Sequence, residues 1–368
     1  MAMKVCIATP LYPPDLGGPA TYARLLEELL PAEGIEVALI SFSGVRTYPK
    51  IVRHIIYLMR VYKAAEGADL VLALDPVSTG LPALIAARMR RARFVVKVVG
   101  DYAWEQGRQR FGIRTSLDDF LYERAVHPML VLLRTTQSHV ARMADAVIVP
   151  SQYLKGIVRT WKVPEERIAI IYNAVELGEL GVLPEETAVL PRPRIITAGR
   201  LVPWKGIGSV IDAVVDLRAS FPHVSLVIVG SGPDEEALMR YAAVRLADNY
   251  TFTGALTHAN TLATIADGDV FVLNSTYEGL SHLLIEALSL GRPVVASRVG
   301  GNAELIEDNV NGLLVDPKDP DALVAAVTRL LSDNGLRAGL ARESIRSTER
   351  FSTALLIRNT KALFEALI

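Results

Sequence analysis

Hydrophobic residues in this chain gather in short unbroken runs rich in β-branched side chains: Val5–Ala8, Val37–Ile40, Leu70–Leu74, Phe94–Val99, Ala146–Val149 and Ile168–Ile171. Runs of this kind, without polar alternation, predict strands buried on both faces, as in parallel sheets. Between several of them the apolar spacing changes to that of a helix. Ala20–Leu30, with its leucines on one side, is the clearest case. Strand, turn and helix in repeated succession predict an open α/β sheet with helices on both faces.

The series then restarts. Ile195–Ala198, Leu226–Val229, Val270–Leu273 and Val294–Ala296 are again strand-like, with helical stretches between them. Glu176–Pro193 joins the two series. It is rich in Gly, Pro and Glu, has little periodicity, and reads as a linker between two Rossmann-like domains. A last helical pattern, Leu355–Leu367, follows Arg350, and a length of 368 residues also suggests more than one core.

Composition narrows the functional classes. The 39 Lys and Arg against 40 Asp and Glu give a net charge of −1, which marks no nucleic-acid binder. The 51% hydrophobic share fits sheets covered on both sides and leaves room for a peripheral membrane contact. No apolar stretch approaches the ~18–20 residues that span a bilayer. Met1-Ala2-Met3-Lys4 leads straight into the first strand, leaving no space for a signal peptide, and the single Cys6 has no disulfide partner. The expectation is a cytoplasmic protein in which Cys6 is a buried, inert thiol. Arg88, Arg90, Arg91, Arg93 and Lys97 form one basic group, and Arg108, Arg110 and Arg114 a second. Each reads either as a solvated face or as a patch for anionic lipid head groups or an acidic acceptor.

Four segments carry candidate chemistry. In Tyr12–Thr21, after the first strand, Gly17 and Gly18 let the backbone approach a ligand, and the helix start behind them offers N–H groups to an anion. The loop lacks G-x-G-x-x-G spacing, and a plain strand–helix connection explains it equally well. Gly199-Arg200-Leu-Val-Pro-Trp-Lys205 follows the first strand of the second series and sets two cations five positions apart on a turn, as a diphosphate clamp requires. Val229-Gly230-Ser-Gly232-Pro233 ends the next strand with glycines that would admit a base or ribose. In Glu278-Gly279-Leu280-Ser281-His282-Leu-Leu-Ile-Glu286, two acids bracket a helix start. There Gly279, Leu280 and Ser281 would aim N–H groups at a phosphate, and Glu286 stands two turns on, placed for ribose hydroxyls. Capping and surface charge are the ordinary alternative for both acids.

Together these motifs, in this order and spacing, resemble the retaining glycosyltransferases of family 4 over essentially the whole chain, with lesser echoes at Val149-Pro150-Ser151, Ile171–Val175 and Val299–Glu304. The resemblance implies the GT-B fold, two Rossmann-like domains facing each other across a cleft, with the C-terminal helix crossing back to the first. Residues 1–178 and 352–368 would then form the acceptor domain and 179–351 the nucleotide-sugar donor domain. It implies that Arg200 and Lys205 hold the donor diphosphate and stabilise it as leaving group, an electrostatic role. By the same resemblance Glu278 contacts the donor sugar and Glu286 the ribose, while the Gly279–Ser281 amides and the Gly17-Gly18 loop close on the phosphates from opposite domains. Such enzymes move a hexose by front-side displacement, with a phosphate oxygen helping to deprotonate the acceptor hydroxyl.

Many members carry a histidine near the transferred sugar, after the fourth strand of the first domain. Here Asp101 stands roughly at that place, either to bond a sugar hydroxyl or to cap the next turn. Asp267-Gly-Asp269 looks like an Asp-x-Asp metal site but leads into a strand and reads as a turn. No His/Cys/Asp cluster has metal-ligand spacing, so no metal and no cofactor beyond the co-substrate are expected. His282, just inside the helix start, suits packing better than proton transfer, and no serine sits in a G-x-S-x-G elbow. The rival readings are a sugar-nucleotide epimerase on the same architecture and a non-catalytic nucleotide-sugar or glycan-binding protein.

Overall fold

The structure, a computed structural model, describes residues 2–15, 17–123 and 127–368, and Lys50 by its backbone alone. Met1 and Leu16, in segments read above, lie outside the described residues. The chain divides into two compact units, Met1–Asn173 with Thr353–Ile368, and Ala174–Ser352.

The first unit holds strands β1 (Met3–Thr9), β2 (Ile35–Ser41), β3 (Leu70–Ala73), β4 (Arg93–Lys97), β5 (Ala146–Val149) and β6 (Ile168–Ile170). All pairs are parallel, in the order β2-β1-β3-β4-β5-β6. Between them run helices α1 (Gly18–Leu29), α2 (Lys50–Ala64), α3 (Gly80–Arg90), α4 (Tyr102–Arg110), α5 (Leu117–Tyr122), α6 (Pro128–Met143) and α7 (Gln152–Thr160). Val5 to Ala8, Leu70 to Ala73 and Phe94 to Val96 are wholly buried, which is why these strands read as unbroken apolar runs. Cys6 lies among them, and burial pushes its thiol up to about 12, so it is inert at neutral pH.

The second unit repeats the plan with β7 (Arg194–Ala198), β8 (Ser225–Val229), β9 (Tyr250–Gly254), β10 (Val270–Leu273), β11 (Val294–Ser297) and β12 (Leu313–Val315), ordered β12-β11-β10-β7-β8-β9. Its helices are α8 (Glu185–Ala188), α9 (Ile207–Leu217), α10 (Glu235–Arg245), α11 (His258–Asp267), α12 (His282–Ser289), α13 (Asn302–Leu305), α14 (Pro320–Ser332) and α15 (Asn334–Ser347). Its core joins Ile195, Leu226, Ile228, Val270 and Val295 to Val210, Val214 and Leu217 of α9 and to Leu323 and Val327 of α14. The pattern of hydrophobic runs missed β9 and β12. β9 is a half-buried edge strand that alternates threonine with aromatics, and β12 has three residues at the opposite edge.

α16 (Thr353–Leu367) belongs to the first unit, where Leu356, Ile357 and Phe364 are buried and Lys361 Nζ meets Glu33 Oε2 at 2.9 Å. The Asp267-Gly-Asp269 turn is structural. Arg192 bonds Asp267 at 2.7 Å and Asp269 at 3.0 Å, and the buried Arg194 bonds Asp267 as well. Both acids therefore fasten the end of the linker to the start of β10.

Candidate functional site

In the second sheet the chain steps from β7 to β8 and β9 on one side, then returns to lay β10 on the other side of β7. Beyond the carboxyl ends of β7 and β10 the two following loops part, and open α/β sheets leave a ligand crevice at such a point. The loops there are Gly199–Gly206 and Asn274–Ser281, two of the segments singled out by their spacing.

Backbone contact locks these loops together. Gly206 has φ +65°, and a Cβ on it would lie 2.0 Å from the Asn274 carbonyl oxygen. Thr276 N–H donates to the Trp204 carbonyl at 2.7 Å. Lys205, at the end of the 3-10 turn Pro203–Lys205, thereby reaches across to Glu278. Its Nζ lies 2.6 Å from Glu278 Oε1, and the two side chains are only 15% and 9% exposed. Ser275 Oγ donates to the same carboxylate oxygen at 2.6 Å. Arg200 is exposed and carries no hydrogen bond or ion pair among the described residues. One cation is thus bound to the first glutamate, and its neighbour on the same loop is open to an anion.

Ser281 caps α12, its Oγ accepting from the Leu284 N–H at 3.3 Å. Gly279 and Leu280 lead into that start. The Val299–Gly301 loop seats beneath them: Gly301 N–H donates to the Glu278 carbonyl at 3.0 Å, and a Cβ on Gly301 would stand 2.3 Å from the Gly279 oxygen. Glu286 lies along α12 and is 6% exposed. Its Oε1 is 2.9 Å from His258 Nε2 at the start of α11, while its buried Oε2 has no hydrogen-bond partner. A buried carboxylate oxygen without a donor is costly unless a ligand supplies one. His258 and Ser275 escaped the sequence reading. His258 is 28 positions from Glu286, and only the packing of α11 on α12 brings them together.

Close contact within the protein requires glycine at Gly230 and Gly232. A Cβ on Gly230 would lie 2.0 Å from the Gly199 carbonyl oxygen, and one on Gly232 2.2 Å from that of Leu201. They allow two loops of the protein to touch. In the first unit Gly17 takes φ +139° as the residue before α1, with no side chain capping the helix. Gly18 is the first residue of that helix.

Asp101 is corrected from a candidate for the sugar to a cap. Its Oδ1 accepts from the Trp104 N–H at 2.8 Å and its Oδ2 from Gln137 Nε2 at 2.9 Å, and it is 1% exposed. Both oxygens are occupied inside the unit, and burial raises its pKa. In the first basic group one residue is withdrawn from the surface. Lys97 is 2% exposed, its Nζ 3.6 Å from the centre of the Tyr22 ring, and burial drives its pKa well down. Arg93 pairs with Asp145, and Arg88 bonds the Met143 carbonyl. In the second group, Arg108 bonds the Arg114 carbonyl. His282 is half-buried at the first position of α12. Among the described residues no three His, Cys, Asp or Glu side chains converge as metal ligands, and no helix is long and apolar enough to cross a membrane.

Known proteins carry the same design. A model described as Glycosyltransferase Family 4 matches residues 16–179, and one described as Glycosyl transferases group 1 matches 184–347. An uncharacterized glycosyltransferase of Methanocaldococcus jannaschii is 28% identical over 64% of this chain, which spans 62% of that relative's length. A GDP-mannose-dependent alpha-(1-6)-phosphatidylinositol monomannoside mannosyltransferase of Mycolicibacterium smegmatis is 28% identical over 88% of this chain and 87% of its own. Among solved structures, sucrose-phosphate synthase of Thermosynechococcus elongatus superposes with a TM-score of 0.80 at 21% identity, over 99% of both chains. Anabaena HepE in complex with UDP-glucose gives 0.76 at 19% identity, over 99% of this chain and 100% of its own. At such identities the likeness speaks to fold, and the two family models, which between them span nearly all of both units, supply the lineage. The chain belongs to the group 1, family 4 glycosyltransferases and has their GT-B fold.

Proposed function

We propose that the protein transfers a hexose, with retention of configuration, from a nucleoside diphosphate sugar to a hydroxyl acceptor. The observation that carries this reading is the Lys205–Glu278 pair beside the exposed Arg200, at the point where the loops after β7 and β10 part. A diphosphate entering there would take hydrogen bonds from Arg200 and from Lys205. Lys205 would then turn part of its charge from Glu278 to the phosphate, and Glu278 would be released to accept from hydroxyls of the sugar. The main-chain N–H groups of Gly279–Ser281 and the positive end of α12 add to the same field. Glu286 would accept ribose hydroxyls through the unpartnered Oε2 while His258 holds Oε1.

Negative charge grows on the diphosphate as the sugar departs, so fixed cations favour the transition state over the ground state. The reading includes no metal, because Arg200, Lys205 and the amides meet that charge. In the first unit, the start of α1 at Gly17-Gly18 is the proposed second anion-binding element, and a peripheral contact with an anionic membrane is the proposed setting. The mycobacterial relative is named for GDP-mannose and the HepE complex for UDP-glucose, so the donor panel must span both bases.

The test offers UDP-, GDP- and ADP-sugars in thermal-shift and transfer assays. One donor should raise the melting temperature through its affinity and be consumed, with its anomeric configuration kept in the product. In Lys205→Ala, donor use should fall ~10–100-fold, the value of an interaction with a charged group. An epimerised free nucleotide sugar, donor binding without turnover, or wild-type transfer by Lys205→Ala would each overturn the proposal.

A further inference from the structure

On one side of the first sheet, α2 and α3 pack against each other, and the side they turn outward is apolar. On α2, Ile51, Ile55 and Met59 recur every fourth residue and are 78%, 57% and 59% exposed. Val52 joins them, and Tyr48 stands exposed just before the helix. On α3, Leu81, Ile85 and Met89 repeat the spacing and are exposed as well. Positions four apart lie one above another on a helix, so each set forms a stripe. The usual arrangement is inverted in the first turns of α2, whose later turns bury Tyr57 and Val61. Arg53 and His54 are half-buried against the Phe42 ring, with His54 in edge contact at 5.2 Å, while isoleucines face out. Water-facing helices normally show the opposite polarity, and a joined apolar face of this extent marks an interaction surface.

The charge around this face has one sign. Residues 37–65 and 76–100 contain no Asp or Glu, whereas the whole chain carries an excess of one acid. Arg60, Lys63, Arg88 and Arg91 are exposed on these helices or at their ends. Beside the end of α2, Lys4, Arg60 and Lys63, with Ile40, Ala64 and Glu66, line a cavity of about 490 Å³. Aliphatic side chains rimmed by cations suit the boundary between acyl chains and anionic head groups. They do not suit a second copy of the chain, because a two-fold contact would press two cationic faces together without a carboxylate from either helix pair.

We propose that the α2–α3 face seats the protein on an anionic lipid bilayer, with Ile51, Ile55, Met59, Ile85 and Met89 entering the interface and the rim cations meeting lipid phosphates. The inference rests on the transferase reading only for its purpose, access to an acceptor held at a membrane.

Flotation of the full chain with phosphatidylcholine vesicles, with and without phosphatidylglycerol, tests it. The protein should float with the anionic vesicles at low salt, and salt should weaken this. Lys63→Ser or Arg91→Ser should each lower partitioning about fivefold. Ile55→Ser combined with Met59→Ser should lower it ~10-fold or more, with an unchanged melting temperature because both residues are exposed. Lys205→Ala should float as the parent does, so this inference and the donor reading fail separately. Three results would overturn it: no flotation with anionic vesicles at low salt, serine variants that float like the parent, or a dimer in solution that Ile55→Asp dissociates.

Discussion

His258 illustrates how one side chain prepares another. Its Nε2 occupies one oxygen of Glu286 and leaves the second oxygen buried and without a partner. A carboxylate held at one end is pre-oriented for a ligand at the other, and less rotational freedom is lost on binding. In His258→Ala the donor KM should rise about tenfold or more with kcat little changed, since a hydrogen bond to a charged group is worth ~1.5–3 kcal/mol. Steady-state kinetics with the identified donor checks the split, and an equal fall in kcat would point to a role in the transfer step instead. Lys205→Ala carries a second consequence. It leaves Glu278 nearly buried with only Ser275 as a named donor, so stability should fall by about 1–3 kcal/mol. Denaturant unfolding measures that loss apart from the catalytic one.

At the scale of elements, the site depends on loops that meet backbone to backbone. Gly206 and Gly254 both have left-handed φ, +65° and +64°, yet only Gly206 has a neighbour where a Cβ would go. Gly254→Ala should therefore cost ~1 kcal/mol, for backbone conformation alone. Gly206→Ala should cost clearly more, because the Asn274 carbonyl must move, and it should also weaken donor binding by displacing Lys205. Equal losses in chemical denaturation would show that the loop contact does not matter. Motif spacing marked Gly230 and Gly232, but it could not distinguish a glycine that admits a ligand from one that admits protein backbone. Both of them admit protein backbone. The same limit applies to Asp101, whose place after β4 suits a sugar contact and a helix cap equally until Gln137 and the Trp104 N–H are seen to occupy it.

For the whole molecule, the last helix completes the first unit. α16 buries Leu356, Ile357 and Phe364 there, each worth ~1.5–3 kcal/mol when fully buried. A chain ending at Ser352 should lose an amount comparable to the stability of a domain. Limited proteolysis and circular dichroism should then show the first unit opened, and a melting curve like that of the full chain would refute this. Much of the architecture was legible in advance. Sheets covered on both faces require unbroken apolar strands, and ten such runs in two series, with a Gly/Pro-rich join, already described two parallel α/β units. The cations and acids of the candidate loops were legible as well, because their spacing lies within single segments. What the sequence could not decide was every relation that crosses the chain. Strand order placed the loops after β7 and β10 side by side, helix packing joined His258 to Glu286, and burial withdrew Lys97 from the surface while turning Ile51, Ile55 and Met59 toward it. Periodicity records which residues share a face, whereas only the tertiary structure determines what that face meets.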